Sequence, residues 1–177
     1  LGDAGDALAP RLLDHRLGDG RCHVAIEHRR DYVVLGEVDV GANVGLCTIW
    51  AARTYRPRTI LAYEASPTTH ECLAENAARH AASATTDVRC YNLAASHTAG
   101  QELTLNQPPW NSGLSTILDG SKLAWVDDLR GTGDLLTHKV ASTSISHEMA
   151  RHGLATVDLL KIDIEGGEPG AIQALAP

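Results

Sequence analysis

The chain has 177 residues, with 15 Lys+Arg against 22 Asp+Glu and a formal net charge of −7. That suits one domain and argues against a broad nucleic-acid face. With 44% hydrophobic residues, 4% aromatics and no Phe, a core of Leu, Val, Ile and Ala is expected, and global disorder is argued against.

In chain order, the Gly- and Asp-rich start LGDAGDALAP lacks the apolar stretch of a signal peptide. No apolar run reaches the ~18–20 residues of a membrane span, and, with the cysteines read as reduced thiols, a cytoplasmic protein is expected. CHVAIEHRRDYVVLGEVDV reads as two short strands split by a charged turn, the second ending at Val40. GANVG breaks that strand and opens a helix over residues 44–53, which Arg56-Pro57-Arg58 ends. Thr59–Tyr63 reads as the next strand. Ser66-Pro67 signals a helix start, with Ser66 as N-cap and Pro67 in the first position, and the helix is expected to run to about His80. Residues 87–92 read as a third strand. Further on, residues 101–106 alternate like a half-exposed strand, QPPWNSG is a loop, and residues 118–136 give no assignment. Residues 138–143 suggest an edge strand and 146–152 a short helix. Residues 157–164 read as a buried strand that ends in Glu165-Gly166-Gly167-Glu168. Alternating strands and helices of this kind predict an α/β fold with a parallel sheet.

Cys22, Cys47, Cys72 and Cys90 are scattered without a CxxC pair, which predicts reduced thiols rather than zinc ligands or a disulfide scaffold. Cys47 and Cys72 fall in helical patterns and are expected to pack ordinarily. His23 with His28, and His147 with His152, lack the i,i+4 spacing of a helical metal site, so no metal ligands are assigned.

Three segments carry chemistry. Val38-Asp39-Val40-Gly41-Ala42-Asn43-Val44-Gly45 is a strand that runs through a tight turn into a helix, at the carboxyl edge where open α/β sheets bind ligands. Gly41 lets the backbone turn close to a ligand, Asn43 tolerates unusual φ/ψ, and Gly45 allows tight helix–strand contact. The GxxxG spacing is neither the GxGxxG of nicotinamide and flavin enzymes nor a P-loop. Glu64, at the end of the next strand, lies 19 residues beyond Gly45, near the ~20-residue offset at which a carboxylate grips ribose hydroxyls. A carboxylate there also disfavours NADP. In Leu159-Leu-Lys-Ile-Asp-Ile-Glu-Gly-Gly-Glu168, strand alternation sets Lys161, Asp163 and Glu165 on one side. Charges in so apolar a strand pair with each other or face a cleft.

DVGANVG, YEASP and DLLKIDIEGGE, in that order, resemble the FkbM-type S-adenosylmethionine (SAM)-dependent methyltransferases. The likeness runs from about Asp31 to Leu175, and KIDIEGGE is its specific part. It implies a Rossmann-like class I methyltransferase sheet with helices on both faces. With the sequence ending at Pro177, the resemblance implies a sheet without its last strands. It divides residues 1–38, an N-terminal segment with short strands, from a SAM-binding methyltransferase domain over 39–177.

By this resemblance Asp39, Gly41, Asn43 and Gly45 line the methionine end of the cofactor and Glu64 holds the ribose. Ala65 and Ser66 lie beside the adenine, and Asn92 and Ala94 close its pocket. The implied reaction is O-methylation of a hydroxyl on a sugar, polyketide or other natural product. Asp163 and Glu165 are the candidate bases, ahead of His97 and His138, with Lys161 orienting them. Trp110, in the QPPWNSGLSTI loop, is either a stacking surface for the acceptor or a cover over the core. The expected partner is a small hydroxylated molecule, with no nucleic acid or membrane; neighbouring domains of a biosynthetic enzyme are a further option. The rival readings are a SAM-binding interaction module without activity and an NAD-dependent oxidoreductase. Against the latter stand the missing GxGxxG and the KIDIEGGE segment.

Overall fold

A computed structural model describes residues 36–81, 86–118, 135–173 and 175, together with the backbone of two further strands. The charged turn after residue 26 and most of the 118–136 stretch lie outside the described residues. The elements are β1 (Leu12–Leu17), β2 (Gly20–Ala25), β3 (Gly36–Val40), α1 (Leu46–Thr54), β4 (Thr59–Tyr63), α2 (Pro67–His80), β5 (Asp87–Tyr91), β6 (Ala94–Ala95), β7 (Glu102–Gln107), a 3₁₀ turn (Ser112–Leu114), β8 (Leu136–Thr143), α3 (Ile145–Arg151), β9 (Leu159–Ile162) and α4 (Glu168–Gln173).

Six strands form one sheet in the order β1-β2-β9-β3-β4-β5. The pairs β9–β3, β3–β4 and β4–β5 are parallel, whereas the β1–β2 hairpin joins β9 antiparallel through β2. β3 spans Gly36–Val40, and the N-terminal hairpin pairs with β9 in the same sheet.

Strand periodicity sorts the core into two layers. Ile60 and Ala62 face α1 and α2, where they meet Ala42, Ala52, Leu73 and Ala77. Val38, Val40, Leu61, Tyr63 and Ile162 face the other way, onto Ile145 of α3 and Ala171 of α4. The sheet thus carries helices on both faces. Helix α2 begins where the sequence signals it: the Ser66 side chain accepts from the Thr69 amide, and Pro67 occupies the first turn.

Strands β6, β8 and β7 make a second sheet with β8 in its centre. The expected edge strand at 138–143 is therefore paired on both sides, by β6 and by β7. A buried polar knot ties this sheet to the first. Glu148 of α3 accepts from Tyr63 Oη at 3.1 Å and from Thr143 Oγ1 at 2.6 Å, and Arg151 lies 3.2 Å from its carboxylate.

Cys47, Cys72 and Cys90 are thiols rather than disulfides. Ordinary packing does not describe two of them: Cys72 is exposed on α2, and Cys47 lines a cavity at the start of α1. No helix among the described residues is long and apolar enough to cross a membrane.

Candidate functional site

Register builds the site. Val40 pairs with Tyr63 and Ile162, and Tyr63 pairs with Tyr91, so four parallel strands end level with one another. The next residues in each chain segment, Gly41, Glu64, Asn92 and Asp163, form a row along the carboxyl edge. Strand order reverses at β3, which has β4 on one side and the much later β9 on the other. Open α/β sheets bind ligands at such a switch point. A cavity of about 240 Å³ lies there.

The floor of the cavity is the β3–α1 turn. Gly41 has φ +71°, and a Cβ on it would sit 1.9 Å from the Asp163 carbonyl oxygen, so only glycine fits between the ends of β3 and β9. Asn43, at φ +50°, is the left-handed residue the sequence anticipates. Its side-chain oxygen is buried and has no hydrogen-bond partner among the described residues. Gly45 caps α1 at φ +91°, but the tight contact it permits is with a neighbouring helix rather than a strand. A Cβ there would lie 2.9 Å from Leu73 of α2. Gly45 itself does not line the cavity.

Glu64 lines the cavity with its carboxylate fixed at both oxygens. The Asn43 amide donates to Oε2 at 2.9 Å and the Ser66 amide to Oε1 at 2.8 Å. Burial raises the Glu64 pKa, and the two amides together with Lys161 partly offset that rise. Each oxygen keeps a lone pair for a ligand hydroxyl. Asn92 acts one step back, donating to the carbonyls of Glu64 and Ala65 at 2.9 Å each and so holding this loop in shape. Ala65 and Ala94 line the cavity, whereas Ser66 is fully buried as the α2 cap.

Asp39 lies beneath the turn and is absent from the cavity wall. It is fully buried, accepts from Thr48 Oγ1 at 2.6 Å and faces Lys161 Nζ at 3.2 Å across the β3–β9 pair. Lys161 also donates to the Gly41 carbonyl, so its ammonium clamps the turn. Burial pulls the Lys161 pKa down, but Asp39 and Asp163 outweigh it and keep this amine protonated. Glu37 shares the same sheet face. It is 2% exposed, its Oε2 has no partner among the described residues, and burial, with Asp39 adding to it, pushes its carboxyl up to about 9.

The KIDIEGGE segment divides its work. β9 ends at Ile162, so the alternation expected to carry Lys161, Asp163 and Glu165 along one side stops before Glu165. Lys161 and Asp163 line the cavity; Glu165 sits in a left-handed turn at φ +52° and does not. Burial, with Asp163 and Glu168 adding to it, holds the Glu165 carboxyl above its ordinary range. Glu168 closes the turn by accepting from the amides of Ile164 and Gly166 at 2.9 Å each.

The opposite wall comes from the second sheet and the loop after β7: Leu105, Ser112, Gly113, Ser115 and Ile117. Thr116 Oγ1 donates to the Glu165 carbonyl at 2.9 Å and fastens that loop to the β9 turn. Trp110 is 49% exposed and absent from the cavity wall. His138 lies on β8 and His97 follows β6, both outside the cavity wall. The sequence reading missed Tyr63, Leu93 and Cys47 as lining residues. Tyr63 and Leu93 flank the row of strand ends, and the register could have indicated them. Among the described residues, no cluster of three or more His, Cys, Asp or Glu is placed to hold a metal.

A parallel sheet with its switch at β3, a glycine turn into α1 and a fixed carboxylate after β4 define a Rossmann-like methyltransferase fold. The chain belongs to the methyltransferase FkbM domain family, whose model matches residues 39–176. It is 29% identical over 149 residues to methyltransferase sdnD of Sordaria araneosa, an alignment covering 74% of this chain and 56% of that protein. It is 31% identical over 143 residues to methyltransferase 1 of Beauveria bassiana, covering 78% of this chain and 57% of that protein. The chain thus spans just over half the length of these curated relatives. No solved structure matches it.

Proposed function

We propose that this chain binds SAM in the cavity at the β3 switch point and transfers its methyl group to a hydroxyl oxygen of a small molecule. The Glu64 carboxylate carries the reading: it is fixed by two backbone amides at the cavity wall, beside the Asn43 side-chain oxygen, which has no partner among the described residues. A diol acceptor and an amide oxygen awaiting a donor suit the ribose and the ammonium group of SAM. Gly41 and Asn43 would hold the methionine end, Glu64 the ribose, and Ala65 and Ala94 the adenine.

When bound, SAM supplies an electrophilic methyl group on a cationic sulfur. The protein contributes position, charge and a proton acceptor. The rigid turn clamped by Lys161 keeps the Gly41 carbonyl and the Asn43 amide in place, and holding reactants at near-attack distance is worth up to about 7–11 kcal/mol. The carboxylates of Glu64 and Asp163 at the wall favour a cation. Asp163 is the candidate base for the acceptor hydroxyl, since it lines the cavity and Glu165 does not. General-base assistance contributes on the order of 10²–10⁴-fold. Lys161 is a positioning group rather than a base, because its neighbours hold its proton.

Methyl-labelled SAM incubated with the protein and a pool of hydroxylated small molecules should give a labelled, non-volatile ether, and Glu64→Ala should abolish it. Label found on nitrogen or carbon alone would refute O-methylation.

A further inference from the structure

The cavity carries charge of one sign. Among the described residues Lys161 is the sole cation in its wall, and its ammonium is engaged by the Gly41 carbonyl and Asp39. The other charged groups of the wall are the carboxylates of Glu64 and Asp163. With Glu64 given to the ribose, a phosphate or carboxylate on the acceptor would meet the Asp163 carboxylate and, among the described residues, no uncommitted donor cation in the wall.

The rest of the wall is mostly apolar, with Leu93, Leu105, Ile117 and Ile164 lining it together with Ser112 and Ser115. The mouth is apolar as well. Val44 and Leu46 line the cavity yet are 43% and 71% exposed. One turn further along α1, Trp50 is 49% exposed. Residues at i and i+4 share a helix face, about 5–6 Å apart, so Leu46 and Trp50 continue the cavity outward as an apolar track. An exposed stripe of this kind, running unbroken from a ligand cavity, marks a binding surface.

We propose that the acceptor is an uncharged alcohol with an apolar chain or ring, its hydroxyl reaching Ser112, Ser115 and Asp163 while its apolar body lies over Val44, Leu46 and Trp50. This rests on the methyltransferase reading and narrows it: polar sugars and phosphorylated alcohols are poor acceptors, and Trp50 is a specificity-determining residue outside the cavity.

The test uses 1-octanol, octyl phosphate and methyl glucoside as probes. Each is titrated into the chain preloaded with S-adenosylhomocysteine, and binding is followed by tryptophan fluorescence and calorimetry. Saturable octanol binding is expected, with octyl phosphate at least about tenfold weaker, methyl glucoside weaker still, and octanol about tenfold weaker in Trp50→Ala. Thermal unfolding checks that the variant is folded. Tighter binding of octyl phosphate or methyl glucoside than of octanol, no octanol binding to protein that binds S-adenosylhomocysteine, or unchanged octanol affinity in Trp50→Ala would each overturn the inference. Octanol binding without S-adenosylhomocysteine binding would instead sink the methyltransferase reading and leave the apolar track standing.

Discussion

Glu37→Gln should stabilise the folded chain, and the gain should grow with pH. Glu37 lies near the start of β3 at 2% exposure, with Oε2 unpartnered among the described residues and the Asp39 carboxylate on the same sheet face. Its carboxyl titrates near 4.5 when unburied and at about 9 in the fold, chiefly through burial and then through Asp39, with Lys161 opposing. Between those values the folded chain holds a proton that the unfolded chain releases. Stability is therefore intact below pH 4.5 and declines as pH rises towards 9, by about 1.4 kcal/mol per unit. At pH 7 the accumulated cost is about 3 kcal/mol. Glutamine has the shape of the protonated acid and no proton to lose. Urea unfolding followed by far-ultraviolet circular dichroism at pH 5.5, 7.0 and 8.5 measures the effect. The stability of Glu37→Gln minus that of the unaltered chain should climb by about 4 kcal/mol across this range. Fixed packing differences cancel in that slope. A difference that stays constant with pH would refute a protonated Glu37.

Other outcomes follow from the same geometry. Gly41→Ala puts a Cβ 1.9 Å from the Asp163 carbonyl oxygen at φ +71°; a lower melting temperature and loss of SAM binding by calorimetry are expected. Glu148→Ala strands the buried donors of Tyr63 and Thr143 and should cost about 2–4 kcal/mol in urea unfolding; a loss under about 1 kcal/mol would show that water replaces the carboxylate. In methyl-transfer assays Asp163→Asn should lower kcat by about 10²-fold or more, with SAM affinity little changed. Glu165→Gln should keep kcat within about threefold, and equal losses in the two variants would remove Asp163 from the role of base.

Much of this site is legible in the sequence because it is local. The Ser66-Pro67 cap lies within one helix start, and the Gly41–Gly45 turn and Glu64 directly follow apolar runs whose ends mark the sheet edge. Long-range contacts escape such reading. Asp39 looks like a cofactor ligand on its own, and only the register with Lys161 and the approach of Thr48 show it supporting the turn from below. Glu165 looks like the continuation of an alternating strand, but β9 ends at Ile162 and the Gly166-Gly167 turn swings it away. The role of Gly45 likewise depends on Leu73, 28 residues later, packing against it. The second sheet is the least legible part: β6 has two residues, too few for any periodic signal, and its partner β8 comes some forty residues later.

The central claim is that the cavity at the β3 switch point takes SAM through Glu64. Isothermal calorimetry of the folded chain with SAM, S-adenosylhomocysteine and NAD, repeated on Glu64→Gln, tests it directly. The account predicts one SAM or S-adenosylhomocysteine bound per chain, no NAD binding, and affinity at least about tenfold weaker in the variant. Absence of SAM binding to folded protein, or equal SAM affinity in Glu64→Gln, would contradict it.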